Sequence, residues 1–99
     1  MYENTLIVYT SDQGFYTGEH GWFDKRFMYE ESLLTPLIIH NPKAPQQRAV
    51  CNSLVQNTDF APTLLDIAGV LVPADMQGVS LKPMLADPSK SVRDAVYYQ

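Results

Sequence analysis

Thr5-Leu6-Ile7-Val8-Tyr9-Thr10-Ser11-Asp12-Gln13-Gly14 sets an unbroken apolar, β-favouring run directly against a polar turn. An apolar run with so little alternation is the pattern of a strand buried on both faces, as in a parallel sheet covered by helices. Residues 5–10 are therefore expected to form a central strand. Sites in open α/β folds lie beyond the carboxyl ends of their strands, so Ser11-Asp12-Gln13-Gly14 begins where a site would begin.

Outward from this stretch, glycines at 14, 18 and 21 stand among aromatic and charged residues, and neither the helical nor the strand period survives there. This segment reads as a long, functional loop. Phe27 to Leu34 predicts a short helix that Pro36 stops, because proline disfavours helical angles in the residue before it. Pro36 to His40 predicts a second buried strand, with the proline at its first position. Pro42 and Pro45 mark an exposed connection over 41–47, and Ser53-Leu54-Val55 reads as a brief strand. Thr58 or Asp59 is expected to cap a helix carrying Phe60, Leu64, Leu65 and Ala68 at helical spacing, with Pro62 in its first turn and Gly69 as its stop. A single turn over 80–85 and a final strand over 92–98 complete the expectation. Two buried strands cannot be covered by so few helices, so the chain reads as part of a larger α/β sheet. Its edges and apolar faces would favour self-association.

The 99 residues suffice for one small domain with a modest core. Seven Lys and Arg against 11 Asp and Glu give a formal charge of −4 with no basic stripe, which argues against nucleic acid as a partner. No apolar segment approaches the roughly 20 residues of a membrane helix, and Met1 to Asn4 lacks the regions of a signal peptide, so a soluble chain without a membrane partner is expected. Cys51 is the single cysteine, which excludes an internal disulfide and a thiolate metal cluster. No histidine or basic cluster adjoins it to activate the thiol, so it reads as structural.

In the opening loop, Asp12 and Gln13 are neighbours whose side chains would diverge in an extended strand. A turn at Gly14, through backbone angles closed to other residues, would let the carboxylate and amide oxygens face one hard cation such as calcium. Calcium takes roughly 6 to 8 oxygens, so further ligands must come from elsewhere. The same dipeptide also serves as a plain polar turn. His20, between Gly18 and Gly21, could donate to an anion or shuttle a proton, or stand as a surface histidine. Lys25 and Arg26 follow Trp22-Phe23, where a cation is held partly desolvated beside an anionic substrate, or where the two answer Asp24 in a solvated pair. Glu30 and Glu31, about 100 degrees apart on a helix, make no ready acid and base pair and read as structural anchors. His40 reads as a half-exposed strand-end residue.

Four blocks, NTLIVYTSDQG, GEHGWFDKRFMYEESLLTPLII, NTDFAPTLLDIAGV and MQGVSLKPML, resemble the sulfatase family of the alkaline phosphatase-like superfamily, in order and spacing along nearly the whole chain. The resemblance falls in the later part of the family's catalytic domain. It implies a fragment of an α/β/α sandwich with a mainly parallel sheet: residues 1–92 as the C-terminal part of the catalytic domain and 93–99 as the start of a smaller C-terminal region. It further implies that Asp12 and Gln13 bind the active-site calcium, that Lys25 reaches a sulfate oxygen, and that His20 borders the substrate. Leu34 stands where the family often has arginine. A periplasmic, secreted or lysosomal setting is implied as well.

The family's nucleophile is a formylglycine made within a Cys/Ser-x-Pro-x-Arg segment, and this chain contains no such segment. Cys51, followed by Asn52-Ser53-Leu54-Val55, does not match it. The resemblance thus implies a wall of a site for a sulfated small molecule or glycan, completed by the remainder of a sulfatase domain, with the isolated chain inactive. The rival readings are a phosphodiesterase or phosphonate hydrolase of the same superfamily, and a non-catalytic remnant that self-associates.

Overall fold

The computed structural model describes residues 1–45 and 48–98. Gln46 and Gln47 of the expected connection, and Gln99 of the expected smaller region, lie outside the described residues. The chain divides into two compact units, Met1–Lys43 and Ala44–Gln99.

In the first unit, strands β1 (Ile7–Thr10) and β2 (Leu37–His40) form a two-stranded sheet. They pair antiparallel, with Ile7 opposite His40 and Thr10 opposite Leu37. This corrects the expected parallel arrangement for these two strands: a continuous apolar run reports burial, and it is silent about the direction of the neighbour. The double burial is not met either. Tyr9 is 63% and Ile38 62% exposed, because no described layer of this unit covers the sheet. A 3₁₀ turn at Tyr2–Asn4, absent from the sequence reading, precedes β1. From it the Tyr2 hydroxyl reaches His40 Nε2 at 2.7 Å and its ring stacks on the imidazole, so His40 is a strand-end anchor.

The long loop between the strands holds another 3₁₀ turn, Glu19–Gly21, and then helix α1 (Glu30–Leu33), which ends before Pro36 as expected. Its internal order hangs on Tyr16, a fully buried side chain. The Tyr16 hydroxyl donates to the Phe27 carbonyl and accepts from the Tyr29 amide, and the Ser32 hydroxyl donates to the Lys25 carbonyl. Backbone groups that form no helix or ladder are thereby satisfied from within the loop.

The second unit is built around Asp59 and helix α2 (Phe60–Ile67). Asp59 is the last residue of a 3₁₀ turn, Asn57–Asp59, and its side chain does not cap α2 as expected. It reaches back to accept from the Gln56 amide at 2.8 Å, accepts from the Val79 amide at 3.0 Å, and receives both guanidinium nitrogens of Arg93. One buried carboxylate thus joins its own turn to two distant points of the chain. Thr63, one turn into α2, donates to the Asp59 carbonyl at 2.6 Å and accepts from the Leu81 amide at 2.8 Å, ahead of helix α3 (Lys82–Ala86). Asp66 holds Lys82 Nζ at 2.7 Å and the Ser80 hydroxyl at 2.6 Å, and these two hydrogen bonds lower its pKa. Gly69, with φ of 75°, ends α2 as expected. Residues 53–55 and 92–98 form no strand, correcting both expectations. They are held instead by isolated bonds, Ser53 Oγ to the Lys90 carbonyl and Gln56 Nε2 to the Tyr97 carbonyl, each 2.9 Å. Short apolar runs form strands only where a neighbour offers a ladder, and here none does.

Candidate functional site

The polar turn follows β1 directly. Asp12 is exposed and Gln13 half-buried at the strand's carboxyl end. Gly14 does not adopt the left-handed backbone expected of it. Its amide donates to the Ser32 carbonyl at 2.9 Å, and a Cβ built there would lie 1.9 Å from the Glu31 carbonyl oxygen. Glycine is required here for close approach to α1, and that contact fixes where Asp12 and Gln13 leave the strand.

The donor chemistry of this pair, carboxylate plus amide oxygen, suits a hard cation. Among the described residues, no three His, Cys, Asp or Glu side chains gather as a metal-binding group. Oxygens from outside this pair would have to complete any such shell.

His20 sits in the 3₁₀ turn with φ of 55°, flanked by Gly18 and Gly21 at φ of 130° and 75°. Its Nε2 lies 3.3 Å from Glu31 Oε1, its ring stacks on Tyr29 at 4.3 Å, and the edge of Tyr16 approaches at 6.5 Å. Sequence reasoning left Glu31 as an anchor without a partner. The partner lies across the loop, and no local spacing announced it. The carboxylate of Glu19, the preceding residue, accepts from the Thr17 amide at 2.6 Å. Backbone hydrogen bonds at Glu19 itself and at Thr17 lower its pKa.

Lys25 is exposed, and its backbone is fixed at both ends: the amide donates to Asp24 Oδ1 at 2.8 Å, and the carbonyl accepts from Ser32. The Arg26 side chain answers Asp24, Nε to Oδ2 at 3.1 Å. Trp22 packs against Phe27 with ring centroids 4.6 Å apart. The four candidates, Asp12, Gln13, His20 and Lys25, thus all lie on the one excursion between β1 and β2 that Tyr16, Gly14 and Ser32 hold in shape. Cys51 is a half-buried free thiol in the other unit.

A family model described as N-sulphoglucosamine sulphohydrolase, C-terminal, matches residues 18–99. An N-acetylglucosamine-6-O-sulfatase of Bacteroides thetaiotaomicron is 59% identical over 97% of the chain, which spans 18% of that relative. An extracellular sulfatase SULF-1 homolog of Drosophila melanogaster is 42% identical over 93% of the chain and 8% of its own length. Among solved structures, BT4656 in complex with its substrate D-glucosamine-2-N,6-O-disulfate superposes with a TM-score of 0.84 at 55% identity, over 98% of this chain and 21% of that one. A phosphonate monoester hydrolase from Silicibacter pomeroyi superposes with a TM-score of 0.82 at 34% identity, over 94% and 18%. The chain therefore spans about a fifth or less of the length of these relatives.

Proposed function

From the premise that this chain belongs to the sulfatase family, matching the C-terminal region of N-sulphoglucosamine sulphohydrolases, we propose that it supplies one wall of a site hydrolysing carbohydrate sulfate esters. The observation that carries this reading is the 59% identity to an N-acetylglucosamine-6-O-sulfatase over 97% of the chain. A 6-O-sulfated glucosamine is accordingly the proposed substrate class, and residues 1–92 are assigned to the catalytic domain with 93–99 beginning a smaller region. The attacking formylglycine belongs to the remainder of the catalytic domain, and the 99 residues by themselves are proposed to be inactive.

Asp12 and Gln13 would hold a calcium ion, which when bound supplies positive charge to sulfate oxygens and polarises them. Lys25 presents its ammonium to a sulfate oxygen, stabilising the charge that grows on the transferring group in the transition state. His20 contacts the alcohol portion of the ester. The fixed backbone on either side of Lys25 sets where its side chain leaves the wall.

The test is a chimera in which these 99 residues replace the matched segment of the Bacteroides thetaiotaomicron sulfatase. It is expected to hydrolyse 6-O-sulfated glucosamine, and Lys25→Ala is expected to lower kcat/KM about 10²-fold, the loss typical of removing one transition-state charge contact. An unchanged rate would remove Lys25 from the mechanism. Asp12→Ala is expected to weaken calcium binding at least about tenfold, read by calorimetry on the chimera, since a carboxylate ligand is lost. Equal affinity in the variant would take Asp12 out of the shell. A second reading, phosphonate monoester hydrolysis, is favoured by the 0.82 superposition on the Silicibacter pomeroyi enzyme. Preference of the chimera for a phosphonate monoester over the sulfate ester would establish that reading instead.

A further inference from the structure

One ring nitrogen of His20 lies against a carboxylate. Nε2 faces Glu31 Oε1 at 3.3 Å, Tyr29 covers one face of the ring in a near-parallel stack, 16° between planes, and Tyr16 stands nearly perpendicular to it at 6.5 Å. The left-handed backbone at His20, φ of 55°, aims the imidazole back toward α1, and Gly18 and Gly21 on either side permit it. A carboxylate can only accept when ionised, so the ring nitrogen facing it must carry hydrogen. In a neutral imidazole the other nitrogen is then an acceptor.

We propose that Glu31 is a positioning residue that fixes His20 as the Nε2–H tautomer, leaving Nδ1 as a hydrogen-bond acceptor for a hydroxyl of the sugar. His20 then reads the alcohol portion of the ester through a donor group, and it does not donate to the sulfate oxygens. The assignment of a sugar to that acceptor rests on the sulfatase reading above; the tautomer does not. Tyr29 contributes by restricting rotation of the ring, so the acceptor direction is preset before substrate arrives.

Two measurements separate these layers. In the 99-residue chain labelled with ¹⁵N-histidine, His20 is expected to show a pyridine-like Nδ1 and a pyrrole-like Nε2. Glu31→Gln, whose amide oxygen still accepts from Nε2–H, is expected to keep that pattern, and Glu31→Ala to replace it with averaged tautomers. A wild-type spectrum already averaged, or one with Nδ1 protonated, overturns the proposal without any variant having to fold. In the chimera, Glu31→Ala is expected to raise KM for the sulfated sugar about tenfold while kcat stays within about twofold, as for a binding contact shared by ground and transition states. The same change is expected to add nothing in a His20→Ala background, and Glu31→Gln to restore KM. Additive effects, or a fall in kcat alone, overturn the role of Glu31 in substrate recognition. A chimera inactive on sulfate esters sinks the sulfatase reading, while the nitrogen spectrum still decides the tautomer.

Discussion

Asp59→Ala is expected to abolish cooperative folding of the unit Ala44–Gln99. The wild-type carboxylate is fully buried and ties Gln56, Val79 and Arg93 together. Its removal leaves the Arg93 guanidinium, whose side chain is only 14% exposed, without its countercharge, and strands two backbone amides. Removing one partner of a buried pair costs about 3–5 kcal/mol, comparable with the whole stability of a small unit. The check is denaturant unfolding together with hydrogen exchange of the α2 and α3 amides; a midpoint that moves by less than the equivalent of about 1 kcal/mol would refute the assignment. The same carboxylate gives a pH dependence. Burial by itself would raise its pKa, but hydrogen bonds from Arg93, Val79 and Gln56 outweigh that and hold it below the ordinary 3.8. Arg93, held by the same bonds, is raised in turn. A depressed folded-state value means the stabilisation is complete above the unfolded pKa, declines as the pH falls below it, and is gone once the pH passes beneath the folded value. Stability should therefore drop below about pH 4, and that slope should shrink in Asp59→Asn.

Gly14→Ala is expected to have the second largest effect, on the loop that carries the candidate site. The added methyl would stand 1.9 Å from a backbone oxygen and 2.8 Å from its carbon, where no flexible side chain can move aside. Either the Gly14–Ser32 hydrogen bond breaks or α1 shifts, and overpacking of this kind costs about 1–3 kcal/mol or more. Asp12, Gln13 and the His20–Glu31 pair should all be displaced together. Calcium affinity in the chimera and exchange of the Gly14 amide report the loss. Gly21→Ala is the control: nothing lies within 4 Å of its Cβ, so only the cost of a positive φ, about 1 kcal/mol, is expected. Equal losses in the two variants would show that close approach is not what Gly14 provides.

The elements legible in the sequence were those whose signals are local. β1 and β2, the stop before Pro36, α2 with its glycine end, and the placement of Asp12-Gln13 beyond a strand end all follow from runs and breakers a few residues long. What escaped depends on partners far along the chain. Asp59 has the composition of a helix cap, and only Arg93, 34 residues away, reveals it as a central tie. Glu31 and His20 are likewise strangers in sequence. The strands coded for double burial find no cover among the described residues of their own unit, so their composition overstated their burial. Gly14 and Gly78 look alike in sequence to any turn glycine. Both are in fact places where backbone meets backbone, each with a carbonyl oxygen 1.9 Å from where a Cβ would stand.

The antiparallel ladder has an evolutionary corollary. Because Thr10 and Leu37 are paired directly across it, the excursion 11–36 leaves and re-enters the sheet at one spot, whatever its length or content. It is a cassette with a fixed socket. A change of length or content within it need not re-register either strand.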